Sequence, residues 1–363
     1  MSPDFGVYIH VPFCAHRCDY CAFATWTDRH HLMEDYAAAC RREVGGADLP
    51  PATSVFFGGG TPSLLPGPLL VSILAAIERR PGAEVTVECN PETVTFELLV
   101  AYRGAGINRL SFGVQSMAPH VLAALGRRHA PNMVAQAVGW ARELGFDSIN
   151  LDLIFGGAGE TVDDWNESLQ GVLALGPDHV SAYALTVEPG TPLALDRTRW
   201  PDDDDQADKY LLADDILEAA GRHWYEVSNW SRPGHECRHN QLYWSQGDYR
   251  GIGCAAHSHR AGRRWWNVRT PERYIDLIGA GRSPEGGDEM LDAGQRQMEA
   301  LQLALRTRDG VPTSALPAAA SSEGQILDGL LWPAGDRTVL TRRGRLLANE
   351  VAARLIVPVP VGE

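Results

Sequence analysis

Three cysteines stand close together near the start of the sequence, at a spacing that suits a ligand set. They are Cys14, Cys18 and Cys21, and the other four of the seven cysteines are scattered along the chain. An odd total without a signal peptide argues against a secreted framework of paired disulfides. Because thiolates in one short loop can converge on a single small inorganic group, this loop is the first candidate for chemistry.

Two kinds of metal group compete for this loop. Iron–sulfur cubanes are normally held by four cysteines, one per iron, so three ligands would leave one iron with an open position. Structural zinc requires four ligands, and the nearby histidines do not give a recognised zinc-finger spacing. The histidines considered are His10, His16, His30 and His31. The loop therefore favours a cluster with an open iron, and zinc stays as the alternative.

The elements that must position this loop alternate between short apolar strands and helices. A strand over Gly6–Val11 ends at Pro12 and leads directly into the cysteines. Strands of about five residues between helices of about ten to fifteen imply β/α units and a parallel sheet. The predicted strands are 6–11, 54–57, 84–88, 109–113, 148–154 and 179–185, and the predicted helices are 35–44, 68–79, 97–103, 133–144 and 162–175.

Glycines and polar residues gather where these strands end. The run Gly58–Thr61 follows the second strand, and Glu88, Gln115 and Asp152 fall at or just after the ends of later ones. In barrels and doubly wound folds this edge is where active sites assemble. Successive glycines also let the backbone approach a ligand with no Cβ in the way. We therefore expect one site, built at this edge together with the cysteine loop.

The remainder of the chain has weaker periodicity. Residues 283–288 have the composition of a linker, and about 292–356 is predicted to form two helices around a strand over Arg337–Leu340. The expected division is into a unit carrying the cysteine loop and the sheet-edge site, a connecting region rich in aromatic residues and histidine, and a small winged-helix-like unit. Their bounds are 1–225, 226–290 and 291–363.

The composition is that of an acidic globular protein. The formal net charge is −14 and 44% of the residues are hydrophobic. This balance argues against binding to nucleic acid or to anionic membranes, which requires a basic surface. With no run of about eighteen apolar residues and no signal pattern, we expect a cytoplasmic location without a membrane segment. The single lysine, Lys209, is interpreted as a bias towards arginine and not as a functional residue.

The residues around the cysteine loop resemble the opening of a radical S-adenosylmethionine (SAM) protein. The similarity is closest to the group formed by the oxygen-independent coproporphyrinogen III oxidases and the HemW-type heme chaperones. It implies a partial (β/α)6 radical-SAM barrel with a small helical, winged-helix-like C-terminal domain. It also implies a [4Fe-4S] cluster on the three cysteines, with SAM chelating the open iron. The matching string is Tyr8-x-His10-x-Pro12-Phe13-Cys14-x3-Cys18-x-Tyr20-Cys21.

The same resemblance implies which residues contact SAM. The expected contacts are Tyr8, Tyr20, Gly59, Gly60, Thr61, Glu88, Gln115, Arg127 and Asp152. One segment departs from the family, which has Gly-Leu-Pro-Gly-Gln-Thr where this chain has Gly-Gly-Ala-Gly-Glu-Thr over 156–161. Because the proline is missing and Glu160 replaces the glutamine, we expect a looser turn there.

Three features separate the two branches of this group. The oxidase branch has a fourth cysteine at the position of Phe23, and an N-terminal arm that we expect to be absent because Cys14 stands so near the start. The segment from His239 to Trp244 instead matches the His-Asn-x-x-Tyr-Trp signature of the HemW-type branch. A neutral imidazole is a common ligand of heme iron, so the resemblance implies a heme contact at His239.

The resemblance therefore implies a heme chaperone that passes heme to an acceptor hemoprotein of respiratory type. It leaves open a membrane-associated acceptor, a homodimer, and whether the protein is an enzyme at all. The alternative within the group is an oxygen-independent coproporphyrinogen III oxidase. A cluster-free or zinc-stabilised binding module is the alternative from another class. Cys237 and Cys254 receive no role.

Overall fold

The computed structural model describes residues 3–316 and 329–355 as one large sheet with helices and a small C-terminal unit. The predicted C-terminal unit extends over 317–328 and 356–363 as well, and those stretches lie outside the described residues. In the described part of the chain, no helix is long and apolar enough to cross a membrane.

Six parallel strands form the centre of the sheet and stand side by side in chain order. They are β1 (Phe5–Val11), β2 (Ala52–Gly59), β3 (Arg79–Cys89), β4 (Arg109–Gln115), β5 (Ser148–Phe155) and β6 (His179–Ala184). The helices between them are α1 (Met33–Gly46), α2 (Gly67–Ala75), α3 (Phe96–Gly104), α4 (Pro119–Ala124), α5 (Pro131–Glu143) and α6 (Val162–Ala174). The alternation expected of a radical-SAM barrel is confirmed.

Later segments extend this sheet at both sides. Strand β9 (Asp248–Ile252) pairs in parallel with β1, and β8 (Asn229–Ser231) pairs antiparallel with β6. The sheet is therefore open and has twelve strands. Residues 226–290, predicted as a connecting region, thus contribute strands to the main sheet. The elements here are α7 (Pro192–Leu195), α8 (Asp203–Ala219), β7 (His223–Glu226), β8 (Asn229–Ser231), α9 (Arg238–Trp244), β9 (Asp248–Ile252), β10 (His257–Arg260), β11 (Arg263–Asn267), α10 (Pro271–Gly279) and β12 (Glu285–Met290).

The C-terminal unit has its own small core. Leu301, Leu305 and Val351 pack there, apart from the core of the main sheet. Arg345 fixes the unit to α8 through a bidentate ion pair with Asp214, at 2.9 and 2.8 Å. The elements are α11 (Ala293–Leu305), β13 (Val311–Pro312), β14 (Leu331–Ala334), β15 (Arg337–Leu340) and the helices Arg342–Leu346 and Ala348–Leu355. Strands β13, β15 and β14 form a three-stranded sheet, consistent with a winged-helix-like unit.

Two local predictions were wrong. The predicted linker 283–288 contains most of β12, an exposed edge strand that pairs antiparallel with β11. Its glycines have the composition of a loop, yet Gly287 makes room for the ring of Trp266, 2.7 Å from where a Cβ would lie. The second predicted helix stops at Ala75 and not at 79, because the approach to Pro81 is extended backbone.

Candidate functional site

The cysteine loop is fastened to the carboxyl end of β1 by backbone hydrogen bonds. The amide of Cys14 donates to the carbonyl of Trp26 at 3.0 Å, and the amide of Trp26 donates to Pro12 at 2.8 Å. Farther along the loop, Asp19 forms an ion pair with Arg199 at 2.8 Å. These hydrogen bonds and this ion pair fix the loop that carries the thiols without the help of a ligand.

The three thiols face a common region and have polar partners there. Cys14 and Cys18 are buried and Cys21 is half-buried. The hydroxyl of Thr61 donates to Cys14 Sγ at 3.5 Å, and the guanidinium of Arg127 donates to Cys18 Sγ at 3.7 Å. Burial raises the pKa of Cys14 and of Cys21, and in both cases the charge of neighbouring cysteines adds to the rise. Such a set suits a cluster whose sulfurs accept hydrogen bonds, which tune its potential.

The glycine run after β2 leaves no space for side chains beside these thiols. A Cβ on Gly60 would lie 2.8 Å from the carbonyl oxygens of Val11 and Phe13 and 3.1 Å from Cys14 Sγ. Gly59 has a φ of +108°, and its Cβ would lie 2.5 Å from the ring of His10. The close approach of this turn to the cysteine loop therefore requires glycine at both positions.

A Gly60→Ala substitution is expected to displace the cysteine loop and lower the iron bound after reconstitution. The colliding atoms are backbone carbonyls, which cannot rotate away, so overpacking should cost about 1–3 kcal/mol of unfolding free energy. Gly139→Ala in α5 is the matched control, because its Cβ would meet nothing within 4 Å. That control should gain about 0.5–1 kcal/mol in urea unfolding. Equal stability and iron content in both variants would contradict the prediction.

Two of the four histidines considered as zinc ligands form hydrogen bonds within the cysteine loop or to it. The imidazoles of His10 and His30 donate from Nε2 to the carbonyls of Ala24 and Cys14, each at 2.9 Å, and so brace the loop. His16 has a buried Nε2 that finds no hydrogen-bond partner in the described part of the chain. Over residues 3–316 and 329–355, no three His, Cys, Asp or Glu side chains are grouped so as to hold a single metal ion.

Behind the thiols, polar side chains from three strands meet at the sheet edge. Arg127 donates to the side-chain oxygen of Asn90 and to the carbonyl of Gly113, both at 2.9 Å, while Asn90 donates to Thr61 at 3.2 Å. Gln115 ends β4 with a φ of +65° and lies beside Gly113. Of this group Asn90 was not predicted, although it follows β3 directly, as the other site residues follow their strands.

Below this edge, the interior of the sheet encloses a polar cavity of about 220 Å³. Glu88 and Asp152 both face it, and Glu88 accepts a hydrogen bond from the amide of Gly59 at 3.2 Å. Burial, with the charge of Asp152 added, raises the pKa of Glu88 to about 8. Two of the predicted SAM contacts are thus interior groups just beneath the cysteine edge. Tyr8 lines the same cavity, whereas Tyr20 lies beside Cys18 at the loop.

Three neighbouring strands contribute polar pairs to this cavity, and of these six residues only Asp152 was predicted as a site residue. Each pair has the spacing i, i+2, which places both side chains on one face of a strand. Asn150 links the three strands: its amide nitrogen lies 2.7 Å from Ser111 Oγ, 2.7 Å from Asp152 Oδ1 and 3.0 Å from Ser181 Oγ, and His179 contacts its amide oxygen at 2.6 Å. The pairs are Arg109 with Ser111, Asn150 with Asp152, and His179 with Ser181. Polar residues at every second position of these strands were the sequence signal that could have predicted a polar cavity.

His239 lies inside the sheet and not at the cysteine edge. It is 1% exposed, its Nδ1 contacts Ser54 at 2.9 Å, and its Nε2 contacts the hydroxyl of Tyr243 at 2.8 Å. The ring stacks against both Tyr8 and Phe56, which lie side by side on β1 and β2. Burial lowers the pKa of His239 to about 3, so the imidazole is neutral at pH 7. The histidine is thus in the protonation state that metal ligation needs, with both nitrogens engaged.

The turn after β5 is held by a buried ion pair and is not loose. Glu160 accepts a hydrogen bond from the amide of Gly156 at 2.7 Å and pairs with Lys209 at 3.2 Å. Lys209 is fully buried and also contacts Asp205 at 2.6 Å and the carbonyl of Glu160 at 2.8 Å. The glutamate that replaces the family's glutamine therefore has a partner from α8. The single lysine has a structural role that composition did not indicate.

Comparison with known proteins places this geometry in a family. Residues 8–171 match the model of the Radical SAM superfamily. A heme chaperone HemW of Mycobacterium tuberculosis is 45% identical over 97% of this chain and 95% of its own length. The corresponding proteins of Bacillus subtilis and Escherichia coli are 34% and 33% identical, each over at least 95% of both chains.

A solved structure shares the fold along nearly the whole chain. The coproporphyrinogen III oxidase HemN from Escherichia coli, a radical SAM enzyme, superposes with a TM-score of 0.84 over 97% of this chain and 90% of its own. Its sequence identity is 22%, so this likeness concerns the fold. The three relatives named above are closer in sequence and are matched over at least 95% of their own length. The chain belongs to the HemW family of the radical SAM superfamily.

Proposed function

We propose that this protein is a heme chaperone that binds heme and transfers it to an acceptor hemoprotein of respiratory type. The observation that carries the proposal is the similarity, end to end, to proteins named heme chaperone HemW, at up to 45% identity. The oxidase HemN matches in fold at 22% identity, which supports no shared reaction. Phe23, at the position where the oxidase branch has a further cysteine, agrees with this choice.

The cofactors we propose are one [4Fe-4S] cluster on Cys14, Cys18 and Cys21 and a SAM molecule at its open iron. When bound, the cluster and SAM would supply redox chemistry at the carboxyl ends of the parallel strands. Thr61 and Arg127 donate hydrogen bonds to the sulfurs of Cys14 and Cys18, and Gly60 keeps the space beside Cys14 clear. Gln115 and Asn90 offer amide groups at the same edge, and Glu88 offers a carboxyl group just beneath it.

The heme contact we propose lies at the segment around His239. Its imidazole is neutral, which leaves a lone pair for iron once a hydrogen bond is released. The bond to Tyr243 is the one that can open, because Tyr243 lines the cavity while Ser54 is fully buried in β2. The step thus requires movement of α9, which is a short helix of seven residues.

Titration of the anaerobically reconstituted protein with heme tests the binding part of this proposal. We expect saturable one-to-one binding that weakens at least about tenfold in His239→Ala, since loss of an iron ligand removes more than about 1.4 kcal/mol. His223→Ala is the matched control, because His223 is half exposed and pairs only with Glu218 at 2.8 Å. Absence of heme binding in the parent protein would refute the chaperone function.

Incubation with coproporphyrinogen III tests the alternative that the protein is an oxygen-independent coproporphyrinogen III oxidase. The reconstituted protein, SAM and a low-potential reductant are combined anaerobically, and the porphyrinogens are separated after oxidation. We expect no protoporphyrinogen IX above the level of a Cys14→Ala sample. Its formation at many turnovers per cluster would overturn the chaperone proposal in favour of the enzyme.

A further inference from the structure

Two parts of the molecule hold α9, the helix that carries His239. One is the main sheet: a Cβ on Gly6 of β1 would lie 2.9 Å from Leu242 and 3.0 Å from His239. These two side chains stand three residues apart, so they share the face of the helix that packs on the sheet. The other part is the C-terminal unit, whose helix α11 contacts α9. The position of His239 therefore depends on both.

The C-terminal unit contacts the chain just before and just after α9. Glu236 precedes the helix and forms an ion pair with Arg308 at 2.9 Å. Gln246 follows the helix, and its side-chain amide donates to Glu299 at 2.8 Å. Glu299 lies in α11 and Arg308 in the turn after it. One short segment of the C-terminal unit thus restrains both ends of α9.

A third contact involves the last residue of α9. Trp244 ends the His-Asn-x-x-Tyr-Trp segment, and the guanidinium of Arg306 lies 6.0 Å from the centre of its ring. This distance is at the outer limit of a cation–π contact, so the contact adds little by itself. Arg306 is hydrogen-bonded to Asn349, which belongs to the same C-terminal unit. The arginine is therefore fixed to that unit and not to α9.

The C-terminal unit joins the main sheet largely through polar contacts. Its apolar residues form a core of their own, and Leu346 is the one described residue of the unit that packs against the main core. The other attachments include Arg345 over the ring of Trp224 at 4.4 Å, and the amide of Arg308 donates to the carbonyl of Tyr225 at 2.9 Å. Polar interfaces between units of one chain resemble transient protein interfaces and allow relative motion.

Movement of α9 is what a heme contact at His239 requires. Both ring nitrogens of His239 are engaged, and the hydrogen bond between Nε2 and Tyr243 has to open before iron can bind. The ring of Tyr243 packs edge-to-face on Tyr249 of β9, with ring centres 4.6 Å apart. Because Tyr249 obstructs that ring, we expect the hydrogen bond to open by displacement of α9. The contacts at both ends of the helix oppose this displacement.

We propose that the C-terminal unit is a latch on α9, which keeps His239 in its closed, hydrogen-bonded position until the contacts at the helix ends are released. The inference rests on the proposed function, because it takes heme as the ligand of His239. It adds that Glu299 and Arg308 set the fraction of molecules in which α9 is open. A ligand that binds only the open form has an apparent Kd inversely proportional to that fraction. Weakening the latch should therefore tighten heme binding.

Hydrogen exchange and heme titration of the double variant Glu299→Ala/Arg308→Ala test the latch on anaerobically reconstituted protein. Loss of one ion pair and one hydrogen bond should raise the open fraction of α9 at least about threefold. Amide exchange over residues 236–246, measured without heme, should accelerate by that factor. The Kd for heme should fall by the same factor. Each single variant should give a smaller change in the same direction.

The double variant leaves no buried charge unpaired. Glu236 keeps a hydrogen bond from the amide of Gly234 at 2.9 Å, and Arg264, which also contacts Glu299, keeps its ion pair with Glu289 at 2.9 Å. We therefore expect the fold to persist. Amide exchange over β1 and β2 is the internal reference and should equal that of the parent protein.

Glu350→Ala/Arg354→Ala is the matched control. It removes the same two charges from an exposed i, i+4 pair within the C-terminal unit. Exchange over residues 236–246 and the affinity for heme should then equal those of the parent protein.

The outcomes separate the latch from the proposed function. Unchanged exchange over residues 236–246 in the double variant would overturn the latch, and so would faster exchange without tighter heme binding. In either case heme binding by the parent protein that weakens in His239→Ala would leave the chaperone function standing. A parent protein that binds no heme would remove both the function and the role of the latch.

Discussion

Cys14→Ala is expected to abolish assembly of the iron–sulfur cluster. Anaerobic reconstitution should leave iron, sulfide and visible absorbance at the level of unreconstituted protein. Each of the three thiolates ligates one of the four irons, so removal of one thiolate leaves two irons without a protein ligand. Cys14 also receives the hydrogen bond from Thr61 and is the thiol against which Gly60 packs.

Cys40→Ala is the matched control for this experiment. Cys40 is equally a free, buried cysteine, but it lies in α1 and packs in the core of the main sheet. We expect this variant to keep its full complement of iron. A Cys14→Ala protein with full cluster absorbance would refute the ligation. One zinc per chain in the parent, with no iron taken up, would favour the zinc-stabilised module.

Lys209→Met is expected to lower the free energy of unfolding strongly. Removing one partner from a buried ion pair costs about 3–5 kcal/mol, because the remaining charge stays buried and unpaired. Here Glu160 would lose its ammonium partner, and its hydrogen bond to the amide of Gly156 would be the main contact left to hold it. Since this glutamate ties the turn after β5, the loss should loosen the strand that carries Asp152.

Urea unfolding of the apoprotein measures this loss. Arg354→Met is the control, because Arg354 forms an exposed i, i+4 pair with Glu350 and should change stability by about 0.5 kcal/mol or less. Amine labelling of the parent protein checks the premise, because Lys209 is fully buried and should react with the reagent only when the protein unfolds. A Lys209→Met protein within about 1 kcal/mol of the parent would show that α8 holds the turn by packing alone.

Much of the site could be predicted because it depends on short-range order. The three cysteines share one loop, and the groups after the next strands fall at the same edge of any parallel sheet. The structure accordingly brings Thr61 and Arg127 to the thiols, and Gln115 lies beside Gly113, whose carbonyl accepts a hydrogen bond from Arg127. Asn90 was not predicted, although it follows β3 in the same way, because an uncharged amide is a weaker signal than the charged Glu88 two residues earlier.

The polar interior could not be assigned from periodicity. Strands covered on both sides have apolar residues throughout, so a polar pair such as Asn150 and Asp152 gives its spacing but not the face it occupies. The position of His239 illustrates the same limit. Its motif indicates a ligand, but only the packing of α9 on β1 and β2 places it between Ser54 and Tyr243.

The sequence by itself determined the cysteine set, the six β/α units and the family, because these follow from local spacing and from strings of matching residues. Tertiary structure alone decided the partner of Lys209 and the edge strand β12. In both cases the contacting residues are distant in the sequence, because Glu160 pairs with Lys209 and Met290 pairs with Arg263. We propose that three of the seven cysteines hold the cluster and leave one iron open, so the odd total of cysteines indicates nothing about disulfide bonds.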